Sequence, residues 1–244
     1  MYNGISIWGV SLKLRFKIVP LVLVTSGLVL SLSQFLPVKV NSNIEHLNLD
    51  GIDKLMIVAH PDDETLWGGA ELLKDDYLVV CITCGEQKNR SVEFEKVMRI
   101  SNNKYIMFGI PDKIFGNRSD WKKYRPKIIK NLNKIINHKD WNLIVTHNPD
   151  GEYGHEHHKM TNKMVEKLTK NKDILYYFGR YVRPSKIKAV SGNLTKIDKK
   201  HLDVKINKMI KIYKTQEFIE TRFGHMFEFE NWVKASEWEE HPSV

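Results

Sequence analysis

The chain has 244 residues, a formal net charge of +9 and two cysteines. This length is enough for one sizeable domain with its own core and short extensions. The lysines are scattered along the chain without a compact basic cluster, which argues against a nucleic-acid-binding protein. A diffuse positive field suits an anionic cell surface or polymer instead.

Residues 1–40 differ in kind from the rest. Basic residues at positions 13, 15 and 17 precede residues 18–36, an essentially uncharged and mostly apolar run just long enough to cross a bilayer. Basic residues before such a run favour a cytoplasmic N-terminus with the remainder outside. We predict an uncleaved membrane anchor. The alternative is a secreted protein with a cleaved signal peptide, because Ser31 and Ser33 form a small-x-small pattern. Both place the catalytic domain outside the cytoplasm.

Residues 41–52 form a polar connector, and residues 53–244 form a single domain in which apolar runs alternate with amphipathic ones. Strands are predicted at residues 55–59, 77–83, 105–108, 141–146, 174–178 and 187–190. Helices are predicted at residues 65–74, 91–103, 120–138, 155–168 and 202–218. Ser91 and Asp120 are the expected N-caps of the second and third helices. Because strands alternate with helices, we expect a Rossmann-like three-layer α/β/α fold with a mostly parallel sheet.

The two cysteines, Cys81 and Cys84, stand at the end of the second predicted strand. Side chains three apart in a strand point to opposite faces, which is poor geometry for a disulfide. A redox motif would instead stand at a helix N-terminus. We therefore expect two small residues of the core rather than a redox or metal site.

The first predicted strand ends abruptly at His60-Pro-Asp-Asp-Glu64. Pro61 cannot donate to a sheet ladder, so the strand should end there. A strand that leads into a short polar loop before a helix is where open α/β sheets place their ligands. One imidazole and three carboxylates within five residues suggest a metal site.

A second ligand-rich loop, residues 147–158, follows the strand at 141–146. Both loops lie at the carboxyl ends of strands in one parallel sheet, so they can converge in space. His60 and Asp63 can supply two zinc ligands, and either His155 or His158, which share a helical face, can complete the set while the other reaches the substrate.

Asp62 stands beside the ligand candidate Asp63 and points elsewhere. It is well placed to take a proton from metal-bound water, whose pKa the metal lowers toward ~7. The conjunction of two such clusters, each after a buried strand, predicts a metal-dependent hydrolase.

The two loops resemble the LmbE-like/PIG-L family of zinc-dependent N-deacetylases, through Ala59-His-Pro-Asp-Asp-Glu64 and Gly154-His155-x-x-His158. The resemblance covers about residues 53–218. Smaller agreements are Thr83-x-Gly85-Glu86, Arg90-x-x-Glu93, Gly109-Ile-Pro-Asp112, Thr146-His147 and Tyr213-Lys-Thr-Gln216.

The resemblance implies a metal centre and a base. His60, Asp63 and His158 would bind zinc, although the same ligands could take another divalent ion. Asp62 would be the general base on zinc-bound water and would later hand its proton to the leaving amine.

The resemblance also implies how the substrate is held. His155 would stabilise the oxyanion of the tetrahedral intermediate, with assistance from Tyr153. Arg90 matches a position that can contact the sugar. The substrate would be an N-acetylated amino sugar, such as the N-acetylglucosaminyl group of a glycan, glycolipid or small glycoside.

Further expectations concern other residues near the motifs and in the C-terminal segment. His157 is expected to face solvent rather than to be a fourth ligand. His147 and Glu152 are candidates for orienting the ligands. Trp232 and Trp238, in the unassigned aromatic segment 223–244, are expected to pack ordinarily rather than to form a sugar-stacking rim.

Two other functions stay open. A related zinc amidase would cleave a different amide with the same metal centre. A non-catalytic glycan-binding protein is disfavoured, because base, ligands and oxyanion donor are all present. The sequence does not indicate the oligomeric state, the sugar or its aglycone.

Overall fold

Strands and helices alternate along the part of the chain that the computed structural model describes, residues 43–240. The strands are β1 (Lys54–Val58), β2 (Tyr77–Thr83), β3 (Lys104–Ile110), β4 (Lys113–Ile114), β5 (Asn117–Arg118), β6 (Leu143–Thr146), β7 (Leu175–Phe178) and β8 (Trp232–Lys234). The α-helices are α1 (Asp63–Lys74), α2 (Lys88–Ser101), α3 (Arg125–Ile136), α4 (Glu156–Leu168), α5 (Ile187–Val190), α6 (Lys199–Val204) and α7 (Phe218–Phe223). One helical turn, Gly151–Gly154, precedes α4.

The six strands of the main sheet lie in the order β3-β2-β1-β6-β7-β8. Neighbouring strands are parallel except for β7 and β8. All seven residues of β2 are buried, which is why the inner strands are continuous apolar runs rather than alternating ones. The predicted mostly parallel α/β sheet is therefore confirmed. Cys81 and Cys84 are buried free thiols at the end of β2.

Two helices do not begin at their expected N-caps. α2 begins at Lys88, so Ser91 lies inside the helix and its hydroxyl donates to the carbonyl of Lys88 at 3.2 Å. α3 begins at Arg125 because Pro126 is suited to a first helical turn, and Asp120 lies in the loop before it.

The predicted strand at residues 187–190 is wrong, because these residues form the short helix α5. The edge beside β7 is taken instead by β8, which comes from the unassigned aromatic segment. Trp232 in β8 donates its indole N–H to the carbonyl of Trp67 at 2.9 Å, and Trp238 is buried. Both tryptophans therefore take part in packing.

The predicted helix at residues 202–218 is not continuous. α6 ends at Val204, a π-helical turn covers Lys205–Met209, and the helical path breaks at Tyr213, whose ψ is 57°. Helical spacing of apolar residues does not reveal the π-helical turn, because one of its two fully buried side chains is that of a lysine, Lys205.

Lys205 is fully buried and ties the C-terminal segment to α1. Its ammonium donates to Glu230 at 2.7 Å and to the carbonyl of Leu66 at 3.0 Å. Glu230 also accepts the backbone N–H of Ala70 at 2.8 Å. Since α1 begins at the first polar loop, this ion pair fixes the element that carries Asp63.

We expect Lys205→Met to lower the free energy of unfolding by about 3–5 kcal/mol, because it leaves the Glu230 carboxylate buried without its cation. Denaturant unfolding of the full chain measures this loss. Lys208→Met, at an exposed position of the same π-helical turn, is the matched control. Equal effects of the two substitutions would contradict the importance of the buried pair.

The predicted anchor at residues 18–36 lies outside the described residues. Between residues 43 and 240, no helix has the length and apolar character needed to span a bilayer. Of the predicted connector, Ile44 and Leu49 are buried.

Candidate active site

The two polar loops meet at the carboxyl edge of the adjacent strands β1 and β6. Ile57 pairs with Thr146 in the parallel register, so the residues that follow lie side by side. The backbone N–H of Ala59 donates to Nε2 of His147 at 2.9 Å, which joins the loops directly. The convergence expected from the topology is present.

The carboxylate of Asp63 lies among three imidazoles, those of His60, His158 and His147, and the last has its Nε2 3.4 Å from Oδ2. Its Oδ2 accepts the backbone N–H of His60 at 2.8 Å and lies 3.2 Å from Nδ1 of the same residue. Its Oδ1 lies 3.2 Å from Nε2 of His158. Burial acts to raise the pKa of Asp63, but His158 and His147 outweigh it and hold the pKa well below its usual range.

The environment of His158 fits a bound cation. Its Nδ1 donates to the buried carboxylate of Glu152, so in the neutral ring Nε2 is unprotonated. This Nε2 is buried, has no hydrogen-bond partner within residues 43–240, and faces a carboxylate oxygen. Two acceptors that face each other without a proton form a suitable pair of ligands for a divalent metal.

Histidine and carboxylate groups cluster in three overlapping ways in the described residues, with their ligand atoms within 4.8 Å of one another. The groups are His60-His155-His158, His60-Asp112-His157 and Asp63-His147-His158. His147 is already engaged on both nitrogens, by Ala59 and by Glu152. His60, Asp63 and His158 do not form one of these groups together, but a ring nitrogen of each histidine lies 3.2 Å from the Asp63 carboxylate, and His155 lies alongside.

The backbone of Asp62 is strained. Its φ of 124° lies in the left-handed half of the map, which residues other than glycine rarely adopt. Its N–H donates to Glu64 Oε2 at 3.0 Å, and its carbonyl accepts the N–H groups of Thr65 and Leu66. This conformation turns Asp62 toward the cleft while Asp63 turns to the histidines.

The carboxylate of Asp62 is buried, and Nη2 of Arg90 lies 3.9 Å from it. Burial, followed by the negative charge of Asp63, raises the pKa of Asp62 well above its usual range. A carboxylate of this kind holds a proton more strongly than a solvated one, which is the property of a base that later acts as an acid.

His155 and Tyr153 line a cleft of about 140 Å³ that opens over Asp62 and Asp63. The ring centroid of His155 lies 4.8 Å from that of His60 and 4.4 Å from that of His158. Burial and the neighbouring His158 lower the pKa of His155 to about 2, so the ring is neutral near neutral pH. Its Nδ1 is buried and finds no hydrogen-bond partner in the described part of the chain.

Arg90 lines the same cleft and also supports the first loop. Its Nη2 donates to the carbonyl of Pro61 at 2.9 Å, and its Nη1 lies 3.5 Å from Asp112. Burial acts to lower the pKa of Arg90, but Asp62 and other neighbouring acids raise it on balance.

The expectation that His157 faces solvent is wrong. The residue is fully buried, and its ring stacks on Trp121 with centroids 4.1 Å apart. Its Nδ1 lies 2.9 Å from Nε2 of His60, and its Nε2 donates to the carbonyl of Ser119 at 2.6 Å. The loop that precedes α3 covers this face of α4. The spacing of residues within α4 does not reveal that cover, because the loop is distant in sequence.

Comparison with known proteins assigns the part of the chain that contains both loops. Residues 55–169 match the family model described as PIG-L: GlcNAc-PI de-N-acetylase. These residues belong to the PIG-L family. The resemblance drawn from the two motifs is thereby confirmed.

Two relatives each match about half of this chain. "Uncharacterized protein L374" of Acanthamoeba polyphaga mimivirus is 32% identical over 151 residues, 54% of this chain and 65% of that protein. The 1D-myo-inositol 2-acetamido-2-deoxy-alpha-D-glucopyranoside deacetylase of Corynebacterium diphtheriae is 24% identical over 162 residues, 52% of this chain and 55% of that protein. The chain therefore spans only part of the length of each.

A solved structure has a fold similar to that of this chain. The crystal structure of the A40926 pseudoaglycone deacetylase Dbv21 has a TM-score of 0.54 and 17% identity, covering 69% of this chain and 84% of that one. At this identity the likeness concerns the fold alone.

The smaller motifs noted in the sequence have physical roles in the structure. The Tyr213 hydroxyl donates to Glu64, which also accepts from Thr65, and burial raises the pKa of Glu64 to about 7. The N–H and hydroxyl of Thr215 both donate to Glu93. The Tyr213–Gln216 segment is therefore held against the first loop and α2.

Several cleft residues were not singled out from the sequence. Asp112 Oδ1 lies 3.5 Å from Nε2 of His60. The Gly109-Ile-Pro-Asp112 motif was the sequence signal that could have identified Asp112 as a cleft residue. Lys113 and Arg118, on the β4–β5 hairpin, and Arg222, on α7, also line the cleft. No local pattern marks these three, because distant segments bring them to the site.

Proposed function

We propose that this protein is a metal-dependent N-deacetylase that removes the acetyl group from an N-acetylated amino sugar. The observation that carries the proposal is the pair of imidazole nitrogens, from His60 and His158, that lie on either side of the Asp63 carboxylate at 3.2 Å. The family assignment and the deacetylase of Corynebacterium diphtheriae support the reaction class.

His60, Asp63 and His158 would hold the metal. Bound there, zinc would supply Lewis acidity, which would lower the pKa of a water toward ~7 and polarise the amide carbonyl. Asp62 takes one proton of the attacking water as its hydroxyl adds to the carbonyl carbon. As the C–N bond breaks, the same carboxyl gives that proton to the amine nitrogen, and acetate leaves.

His155 stabilises the negative charge that develops on the carbonyl oxygen. Because its pKa is lowered to about 2, the ring is neutral and offers one N–H as a donor. Tyr153 borders the same part of the cleft with its hydroxyl protonated, since burial raises its pKa. Arg90 holds the Asp62 loop and contacts the sugar.

Product analysis tests the reaction. The full chain would be incubated with N-acetylglucosamine glycosides, their N-propionyl and N-benzoyl analogues, and N-acetylated amino acids. We expect acetate and free amine in equal amounts from the N-acetyl sugars. Release of only a larger acyl group would favour the amidase, and sugar binding without turnover would favour a glycan-binding protein.

We place the rest of the substrate in a groove of about 500 Å³ that adjoins the cleft. The groove shares Arg90, Asp112 and Lys113 with the cleft and adds Lys88. Neither lysine has a carboxylate partner among residues 43–240. This excess of positive charge suits an aglycone that carries negative charge.

We expect Lys88→Ala to raise KM about threefold to fivefold for a glycoside with an anionic aglycone, the value of one exposed charge pair. KM for the neutral methyl glycoside should not change. Lys163→Ala, at an exposed position that lines a separate pocket, is the control. An equal rise for both glycosides would contradict the charge argument.

We also propose that residues 18–36 anchor the protein and place the PIG-L domain outside the cytoplasm. The support is the apolar run with basic residues before it. Alkaline extraction of membranes, with protease protection, tests the anchor and its orientation; release of the protein into the supernatant would contradict it.

A further inference from the structure

His157 connects a metal-ligand candidate to a backbone carbonyl. Its Nδ1 lies 2.9 Å from Nε2 of His60, and its Nε2 lies 2.6 Å from the carbonyl oxygen of Ser119. The ring is fully buried and stacked on Trp121 with an interplanar angle of 12°. It therefore stands in one orientation between two fixed groups.

The donor and acceptor roles in this series of hydrogen bonds follow from its last acceptor, the carbonyl of Ser119. A carbonyl oxygen only accepts, so Nε2 of His157 carries a proton, and in the neutral ring Nδ1 does not. The hydrogen bond at 2.9 Å then requires that Nε2 of His60 donates. A neutral His60 whose proton is on Nε2 has an unprotonated Nδ1, and this atom faces Asp63 Oδ2 at 3.2 Å.

The competing tautomer of His60 would block the metal. With its proton on Nδ1, His60 would donate to the Asp63 carboxylate. That hydrogen bond would occupy both Nδ1 of His60 and Oδ2 of Asp63, the two atoms that would otherwise bind the metal. Asp112 Oδ1, 3.5 Å from both His60 Nε2 and His157 Nδ1, also favours a proton between those nitrogens rather than on Nδ1 of His60.

His157 is not itself placed to be a ligand. Two nitrogens bound to one zinc at 2.0–2.1 Å and a tetrahedral angle are about 3.3 Å apart. The separation of 2.9 Å between His157 Nδ1 and His60 Nε2 is that of a hydrogen bond.

We propose that His157 is a positioning residue that holds His60 in the tautomer able to bind a divalent metal through Nδ1, and thereby sets the metal affinity. The proposal rests on the metal centre of the proposed function. Metal-binding histidines commonly donate their other N–H to a carboxylate or a backbone carbonyl. The carboxylate of Glu152 accepts such a hydrogen bond from His158 directly. The carbonyl of Ser119 accepts one from His157, and it orients His60 indirectly through the ring of His157.

Two substitutions separate the hydrogen bond from the packing. His157→Asn keeps an acceptor oxygen near the position of Nδ1, whereas His157→Leu fills similar space without an acceptor. We expect zinc affinity, measured on the full chain by competition with a chelator, to fall about 10- to 100-fold in the leucine variant. The asparagine variant should stay within a few-fold of the parent.

The control is Thr161→Val, which removes a buried hydroxyl that donates to the carbonyl of His157 at 2.8 Å. It perturbs the same turn of α4 without touching the His60 contact, so zinc affinity should be unchanged. Nitrogen-15 NMR of the metal-free protein gives a second reading. His60 should carry its proton on Nε2 in the parent and shift toward Nδ1 in His157→Leu.

Parent-like zinc affinity in His157→Leu, or a proton on Nδ1 of His60 in the parent, would overturn the proposal. Equal losses of zinc affinity in the His157→Leu and Thr161→Val variants would also overturn the proposal, because they would indicate that packing alone determines the affinity. Failure of the proposed function is distinguishable, since the parent itself would then bind no zinc.

Discussion

Asp62→Asn is expected to retain its metal and to lose deacetylation by about 10²- to 10⁴-fold in kcat. A neutral amide cannot accept the proton of the attacking water, and it cannot return a proton to the leaving amine. The ligands His60, Asp63 and His158 remain in place, so metal content should match the parent. Acetate release and metal analysis on the same preparation measure both quantities.

Asparagine is the appropriate replacement because Asp62 adopts a φ of 124°. Asparagine tolerates positive φ better than most residues, so the loop should keep its conformation. Asp203→Asn, the same chemical change at an exposed carboxylate of α6, is the matched control and should retain full kcat. Full activity in Asp62→Asn would show that the base is assigned to the wrong residue.

His158→Ala is expected to lose the bound metal, because three protein ligands become two. Metal content after dialysis should fall from about one ion per chain to near zero, and acetate release should fall with it. His138→Ala, at an exposed histidine, should have no effect on either.

The loss in His158→Ala must be separated from misfolding, because the imidazole is fully buried. Asp63→Asn retains the shape of its side chain and removes the charge, so it should also lose the metal while the fold persists. Circular dichroism checks the fold of both variants. Unchanged metal stoichiometry in either folded variant would contradict the ligand assignment.

The sheet and both motif loops could be predicted because they depend on local information. A continuous apolar run such as β2 indicates a strand with both faces covered, and Pro61 marks the end of β1. The convergence of the loops follows from parallel topology, which places the carboxyl ends of β1 and β6 at one edge.

The errors at His157, at residues 202–218 and at residues 187–190 arise from contacts with distant parts of the chain. His157 is buried because Trp121, 36 positions earlier, stacks on it. The helical path within 202–218 breaks at Tyr213, whose hydroxyl donates to the distant Glu64, and residues 187–190 find no open sheet edge because β8 occupies it. No short stretch of sequence around these residues contains the distant residues that they contact.

Zinc titration of the metal-free full chain tests the central claim most directly. The protein would be stripped with a chelator and titrated with zinc, while bound zinc and acetate release from an N-acetylglucosamine glycoside are measured together. We expect acetate release to rise with bound zinc and to reach its plateau at one zinc per chain. Full acetate release without metal, or a chain that binds no zinc, would contradict a deacetylase centred on His60, Asp63 and His158.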